Sequence, residues 1–140
     1  MRANGSQSGF TLIELVVVIT ILGILAAFAI PRFASLEVDA RTAARDALGG
    51  SVRSGAALSH ALWLAQGQPA TVTMEGQTIT MTNGYPNLAT INLTIGDLTG
   101  FTYTAATGVF LKTGGAATCT VTYAAAPANG APTITNGGVC

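Results

Sequence analysis

The chain has 140 residues, with a hydrophobic fraction of 49%, charged residues at 9% and a formal net charge of zero. That balance leaves room for one modest domain plus an appendage and is too apolar for an ordinary soluble protein. With no basic block in the sequence, a dense phosphate-neutralising surface is excluded and no specific nucleic-acid partner is expected.

Residues 1–9, MRANGSQSG, are short and polar, with Arg2 as the charged side chain, and read as a leader rather than as structure. From Phe10 to Ile30 the only charge is Glu14. As a helix this run is about 31 Å long, the thickness of a bilayer's hydrocarbon core. Leu, Ile, Val and Phe between Leu15 and Ile30 contribute about −3 to −7 kcal/mol to insertion, whereas one carboxylate near the end of the span costs at most about 3 kcal/mol. The helix therefore inserts in spite of Glu14. A carboxylate at that depth normally has a function; the plainer alternative is an interfacial residue near the headgroups.

Residues 31–66 continue the helix. Phe33, Leu36, Ala40, Ala43, Ala47, Ala57, Ala61 and Leu64 recur at intervals that build one apolar stripe, and Glu37 and Arg41 stand at the favourable i, i+4 spacing. Gly67 and Pro69 stop the helix near Gln66. Pro31 cannot donate to the carbonyl of Ala27, so a kink is expected there, and Gly49, Gly50 and Gly55 read as a second weak point. His60 follows Ser59 directly, and adjacent helical side chains diverge, so the two make no catalytic pair. His60 reads as a solvated helix residue, and an enzyme is not expected.

Past Pro69 the composition changes to Thr, Val, Ile and Tyr alternating with polar residues. TVTMEGQTITMT predicts a hairpin turning at Glu75 and Gly76, with further strands over 101–104, 109–112 and 118–123. Together these form a small antiparallel sheet whose apolar face is covered by the amphipathic helix, an α+β fold. The stretch from Ala124 to Gly138, rich in Ala, Pro and Gly, reads as a surface loop with little core of its own. Cys119 and Cys140 are an even pair beyond a membrane-targeting segment, which points to a disulfide in an oxidising compartment; two unrelated free thiols are the alternative. If bridged, they close a loop of about 20 residues, worth about 3 kcal/mol in the chain-entropy model. One histidine and two cysteines make no metal site, and the acidic residues past Asp46, Glu75 and Asp97, are too few for a carboxylate-built calcium loop, so no metal or cofactor is expected. Asn92, Leu93 and Thr94 match a glycosylation sequon of a kind that arises often by chance.

The run Gly9, Phe10, Thr11, Leu12, Ile13, Glu14, Leu15 resembles the prepilin peptidase site of the type IV pilins. The resemblance implies a cut between Gly9 and Phe10 and N-methylation of the new Phe10 amine. Gly23 and Pro31 match in position the helix-breaking pair between which pilin helices lose regular structure on assembly. Cys119 and Cys140 resemble the disulfide that closes the family's C-terminal loop. DARTA at Asp39 to Ala43, with GYP at Gly84 to Pro86, most resembles the mannose-sensitive haemagglutinin branch of type IVa pilins. The family's pattern often has a basic residue just before the scissile glycine, which this leader lacks.

The organisation that follows from this resemblance is a cleaved leader at 1–9, a transmembrane and filament-core helix at 10–30, an amphipathic helix of the head at 31–66, and an antiparallel β head with a C-terminal disulfide loop at 67–140. The expected partners are other copies of the pilin, the prepilin peptidase, the pilus assembly machinery and, before assembly, the inner membrane, with the head periplasmic. After assembly the location is an extracellular pilus serving adhesion, motility or DNA uptake. Phe10 and Glu14 then set the register between neighbouring subunits, since opposite charges attract strongly in a low-dielectric bundle. Two alternatives stand beside this one. A pseudopilin of type II secretion is disfavoured by the scarcity of acidic residues. A secreted binding domain would use Ala27, Phe28 and Ala29 as an ordinary signal-peptidase site and start at Ile30.

Overall fold

The computed structural model describes residues 9–140. Of the expected leader only Gly9 falls among them. The chain forms two compact units, Met1–Glu37 and Val38–Cys140, and helix α1, Leu12–Ala65, contributes to both. In the first unit α1 passes through Gly23 and Pro31 as uninterrupted α-helix. A proline removes one N–H from the ladder, and here the helix carries on through it rather than breaking. The helix is long and apolar enough to cross a membrane.

In the second unit α1 ends where Gly67 takes a positive φ of 78°. The amide of Gly67 donates to the carbonyl of Leu64 and that of Gln68 to the carbonyl of Trp63, the paired bonds of a Schellman cap. Three strands follow, β1 (Thr71–Met74), β2 (Gln77–Thr82) and β3 (Tyr85–Pro86), in one antiparallel sheet. Met74 pairs with Gln77 and Thr82 with Tyr85, so both turns have two residues, Glu75-Gly76 and Asn83-Gly84. All four have φ between 46° and 83°, the left-handed conformation that matches the twist of a tight hairpin.

The chain then leaves this sheet through a 3-10 helix, Ile91–Thr94, and builds a second antiparallel sheet from β4 (Phe101–Thr104), β5 (Val109–Lys112), β6 (Thr120–Ala124) and β7 (Thr133–Asn136), paired in that order. Two sheets therefore stand where the sequence reading expects one. The strand β7 lies inside the segment expected to be a loop. Its TITN pattern alternates, and Ile134 packs on the core while Thr135 and Asn136 stay exposed.

One helix covers both sheets. Leu48, Val52 and Ala56 pack with Ile91, Phe110, Val121 and Tyr123, and Leu62 and Trp63 pack with Val72, Ile79 and Met81. Each fully buried large side chain here contributes about 1.5–3 kcal/mol. The Tyr123 hydroxyl donates to the carbonyl of Pro86 at 2.7 Å, tying β6 to the strand at the edge of the other sheet. Burial pushes the pKa of Tyr123 up, and that of Tyr103 in the same direction.

The buried face of α1 is not the alanine stripe. Arg45, Leu48, Gly49, Val52, Gly55, Ala56 and Ser59 are buried, whereas Phe33, Leu36 and Leu64 are exposed. Alanine suits every position of a helix, so its spacing says little about which side is covered. The glycines that read as weak points are contact points: a Cβ on Gly49 would run into the Asn136 side chain, and one on Gly55 into the Thr94 hydroxyl. Gly50 faces open space. Gly50→Ala is therefore expected to stabilise the head by about 0.5–1 kcal/mol through helix propensity. Gly55→Ala is expected to cost about 1–3 kcal/mol through overpacking. Denaturant unfolding followed by Trp63 fluorescence checks both, and equal stabilisation by the two would refute the packing role of Gly55.

Candidate functional site

At the start of the described chain Gly9 and Phe10 precede the helix and are exposed, Phe10 at 93%. Thr11 is the N-cap and Glu14 the third helical residue. The Glu14 amide donates to Thr11 Oγ1 at 3.3 Å. The Glu14 carboxylate accepts the Thr11 amide at 3.0 Å and the Thr11 hydroxyl at 2.9 Å through the same oxygen, Oε2. This is a reciprocal capping box, in which two otherwise orphaned amides of the helix start are satisfied by side chains. It also places the acidic group where the helix dipole favours it.

The capping box was readable in the sequence as Thr-x-x-Glu before an apolar run, yet Thr11 is not among the expected site residues. Behind it the large apolar side chains from Leu12 to Phe33 are exposed. The site is therefore a carboxylate held by its own chain at the tip of an uncovered apolar rod, four residues after Phe10 and its accessible bond to Gly9. An apolar surface of this extent is stable only in lipid or against other protein. Gly23 and Pro31 both lie within that rod.

At the other end of the chain Cys119 and Cys140 are bonded, with their Cα atoms 4.5 Å apart. A second clamp, absent from the sequence reading, holds the same segment. Arg45 is buried in α1, and its Nη1 donates to the carbonyls of Gly137 at 2.6 Å and Gly138 at 2.5 Å. Asp46 receives Arg45 Nη2 at 2.9 Å and Asn136 Nδ2 at 2.7 Å. Nothing in the local pattern announces this clamp, because its partners are backbone carbonyls about 90 residues away.

His60 is not the solvated residue expected. Its ring stacks on Tyr85 at 4.2 Å and on Trp63 at 5.6 Å, and its Nδ1 lies 2.7 Å from the carbonyl of Gly84. The sequon at Asn92 sits in the 3-10 helix, with the Thr94 hydroxyl donating to the carbonyl of Ile91 at 2.7 Å. Asp97 accepts the Thr99 amide at 2.7 Å, and its bonding to the Thr99 side chain and amide holds its carboxyl below the usual range. Among the described residues no three of the His, Cys, Asp and Glu side chains converge as a metal site would require.

Residues 4–30 match the family model described as the prokaryotic N-terminal methylation motif. The chain is also similar to the type IV narrow pilus major component PilA5 of Thermus thermophilus, at 51% identity over 59 residues. That stretch covers 42% of this chain and 47% of the relative, so the similarity spans about half of the relative's length. No solved structure matches the chain. Both findings point to the type IV pilins, and the α+β fold, a long apolar N-terminal helix with antiparallel sheets and a C-terminal disulfide, is pilin-like.

Proposed function

We propose that this chain is a type IV pilin, the repeating and major subunit of a surface filament. The observation that carries the reading is Glu14, held by a capping box at the tip of an exposed apolar helix and a few residues past an accessible glycine. The leader at 1–9 is removed by a prepilin peptidase between Gly9 and Phe10, and the new amine of Phe10 is methylated. Residues 10–30 anchor the subunit in the inner membrane in a single pass, with residues 31–140 outside.

The assembly machinery then draws the helix out of the lipid and packs it against other copies, which buries the same apolar surface again. A head-to-tail contact of this kind does not close and yields a helical fibre. In the fibre Glu14 of one subunit meets the Phe10 amine of another, and the pair sets their axial register. Gly23 and Pro31 let the helix lengthen locally during the transfer. The role of the chain is structural rather than catalytic, and the fibre serves adhesion, motility or DNA uptake.

The test is the mature N-terminus. Intact mass and N-terminal sequencing of protein from the envelope are expected to give N-methylated Phe10. A start at Ile30 would mark an ordinary signal peptide and overturn the reading.

A further inference from the structure

Beyond the leader, glycine directly follows asparagine three times, at Asn83-Gly84, Asn129-Gly130 and Asn136-Gly137. Such a step carries its own chemistry. With no Cβ on the second residue, its backbone amide nitrogen can reach the carboxamide carbon of the asparagine, bond to it and expel ammonia. Water then opens the cyclic imide at either carbonyl and leaves aspartate or isoaspartate. Overall one water is consumed and one ammonia released, with no oxidant or enzyme required.

The fold treats these steps unequally. Asn129 is exposed at a tip between β6 and β7, and among the described residues no hydrogen bond holds its side chain. The attacking nitrogen there, that of Gly130, is tied only by a turn bond to the carbonyl of Pro127 at 3.1 Å. Asn83 is held more firmly, its Nδ2 donating to the carbonyl of Ala126 at 2.8 Å. Asn136 is locked at both reacting groups. Its Nδ2 donates to Asp46 on α1 at 2.7 Å, while the Gly137 amide donates to the carbonyl of Thr120 at 2.7 Å. Asn136 also pairs with Val121 in the β6–β7 ladder, and Arg45 holds the next two carbonyls. Carboxamide and attacking nitrogen are thus bound to different elements.

We propose that Asn136 is a latent modification site: when the C-terminal segment comes off α1, Gly137 attacks the Asn136 side chain, and the product cannot dock again. The reaction runs only in the open form, so its rate follows the population of that form. An aspartate at this place sets a carboxylate against Asp46, where an amide had donated, and Arg45 is already engaged with Asp46 and the two carbonyls. An isoaspartate lengthens the backbone and breaks the register with β6. A brief opening therefore becomes permanent. The inference does not rest on the filament reading.

Lys112 is the last lysine or arginine, so trypsin releases 113–140 as one peptide that carries both Asn129 and Asn136. The full-length protein in detergent is incubated at mildly alkaline pH, and fragment-ion mass spectrometry follows the two conversions side by side. In the wild type Asn129 is expected to convert at least about tenfold faster than Asn136. Arg45→Met, or reductant added to the wild type, should speed Asn136 about tenfold and leave Asn129 unchanged, whereas Arg53→Met should alter neither. Equal rates at the two sites in the folded wild type would overturn the proposal, as would a ratio that neither Arg45→Met nor reductant moves. The block to docking is read from Tm: Asn136→Asp should lower it, and adding Asp46→Asn should recover part of the loss. An unchanged Tm in Asn136→Asp would show that the product docks again and would overturn the latch.

Discussion

Glu14→Gln is expected to leave the protein in the membrane at normal abundance while surface filaments disappear. The carboxamide oxygen can still accept from the Thr11 amide and hydroxyl, so the helix start survives. The negative charge is what the substitution removes. A charge pair formed in a low-dielectric bundle and then deprived of one partner loses about 3 kcal/mol, roughly a hundredfold in the equilibrium constant for each subunit added.

Glu14→Ala removes the charge and the cap together and costs about 1 kcal/mol more at the helix start. The comparison separates the two roles of the carboxylate. If filaments counted by electron microscopy are normal in Glu14→Gln and lost only in Glu14→Ala, the capping box is what assembly needs and the pairing with Phe10 is wrong.

Arg45→Met is expected to destabilise the head by about 2–4 kcal/mol, because it keeps the aliphatic stem but leaves the carbonyls of Gly137 and Gly138 without their buried donor. For a domain of this size that lowers Tm by about 10–20 °C. Arg53 gives the control. It also donates to a carbonyl, that of Ile134 at 3.1 Å, but from an exposed position, and Arg53→Met should change stability by no more than about 0.5 kcal/mol.

Arg45 and the Cys119–Cys140 bridge act on one segment, so their effects should not add. Reduction of the wild-type disulfide should cost about 3 kcal/mol, and reduction in Arg45→Met distinctly less, since the segment is already loosened. Thermal unfolding with and without reductant measures all four corners of this cycle. Additive losses would mean that the two clamps are independent, and a Tm for Arg45→Met equal to that of Arg53→Met would remove the clamp altogether.

What could be read from the sequence was local in origin. The apolar run after Gly9, the helix stop at Gly67 and the turn at Glu75-Gly76 each depend on neighbouring residues, and each stands where the sequence reading puts it. The Asn83-Gly84 hairpin is equally local and carries the strongest short-range turn signal, yet only its Gly84 enters the sequence reading, within GYP. The buried face of α1 was not legible, because Gly49 and Gly55 are buried by what approaches them, Asn136 and Thr94, and not by their own hydrophobicity. The strand β7 was hidden for a similar reason. TITN alternates and is β-branched, but four residues after an Ala, Pro and Gly stretch are too short a run to stand as a strand until β6 supplies the partner.

The capping box has a consequence for how the protein is stored. A lone carboxylate near the end of a span costs its subunit up to about 3 kcal/mol in lipid. Here Thr11 travels with Glu14 and supplies it with two donors wherever it goes. Such a subunit can wait. On the proposed function, idle copies held in this way can accumulate in the membrane and be drawn on when a fibre starts to grow.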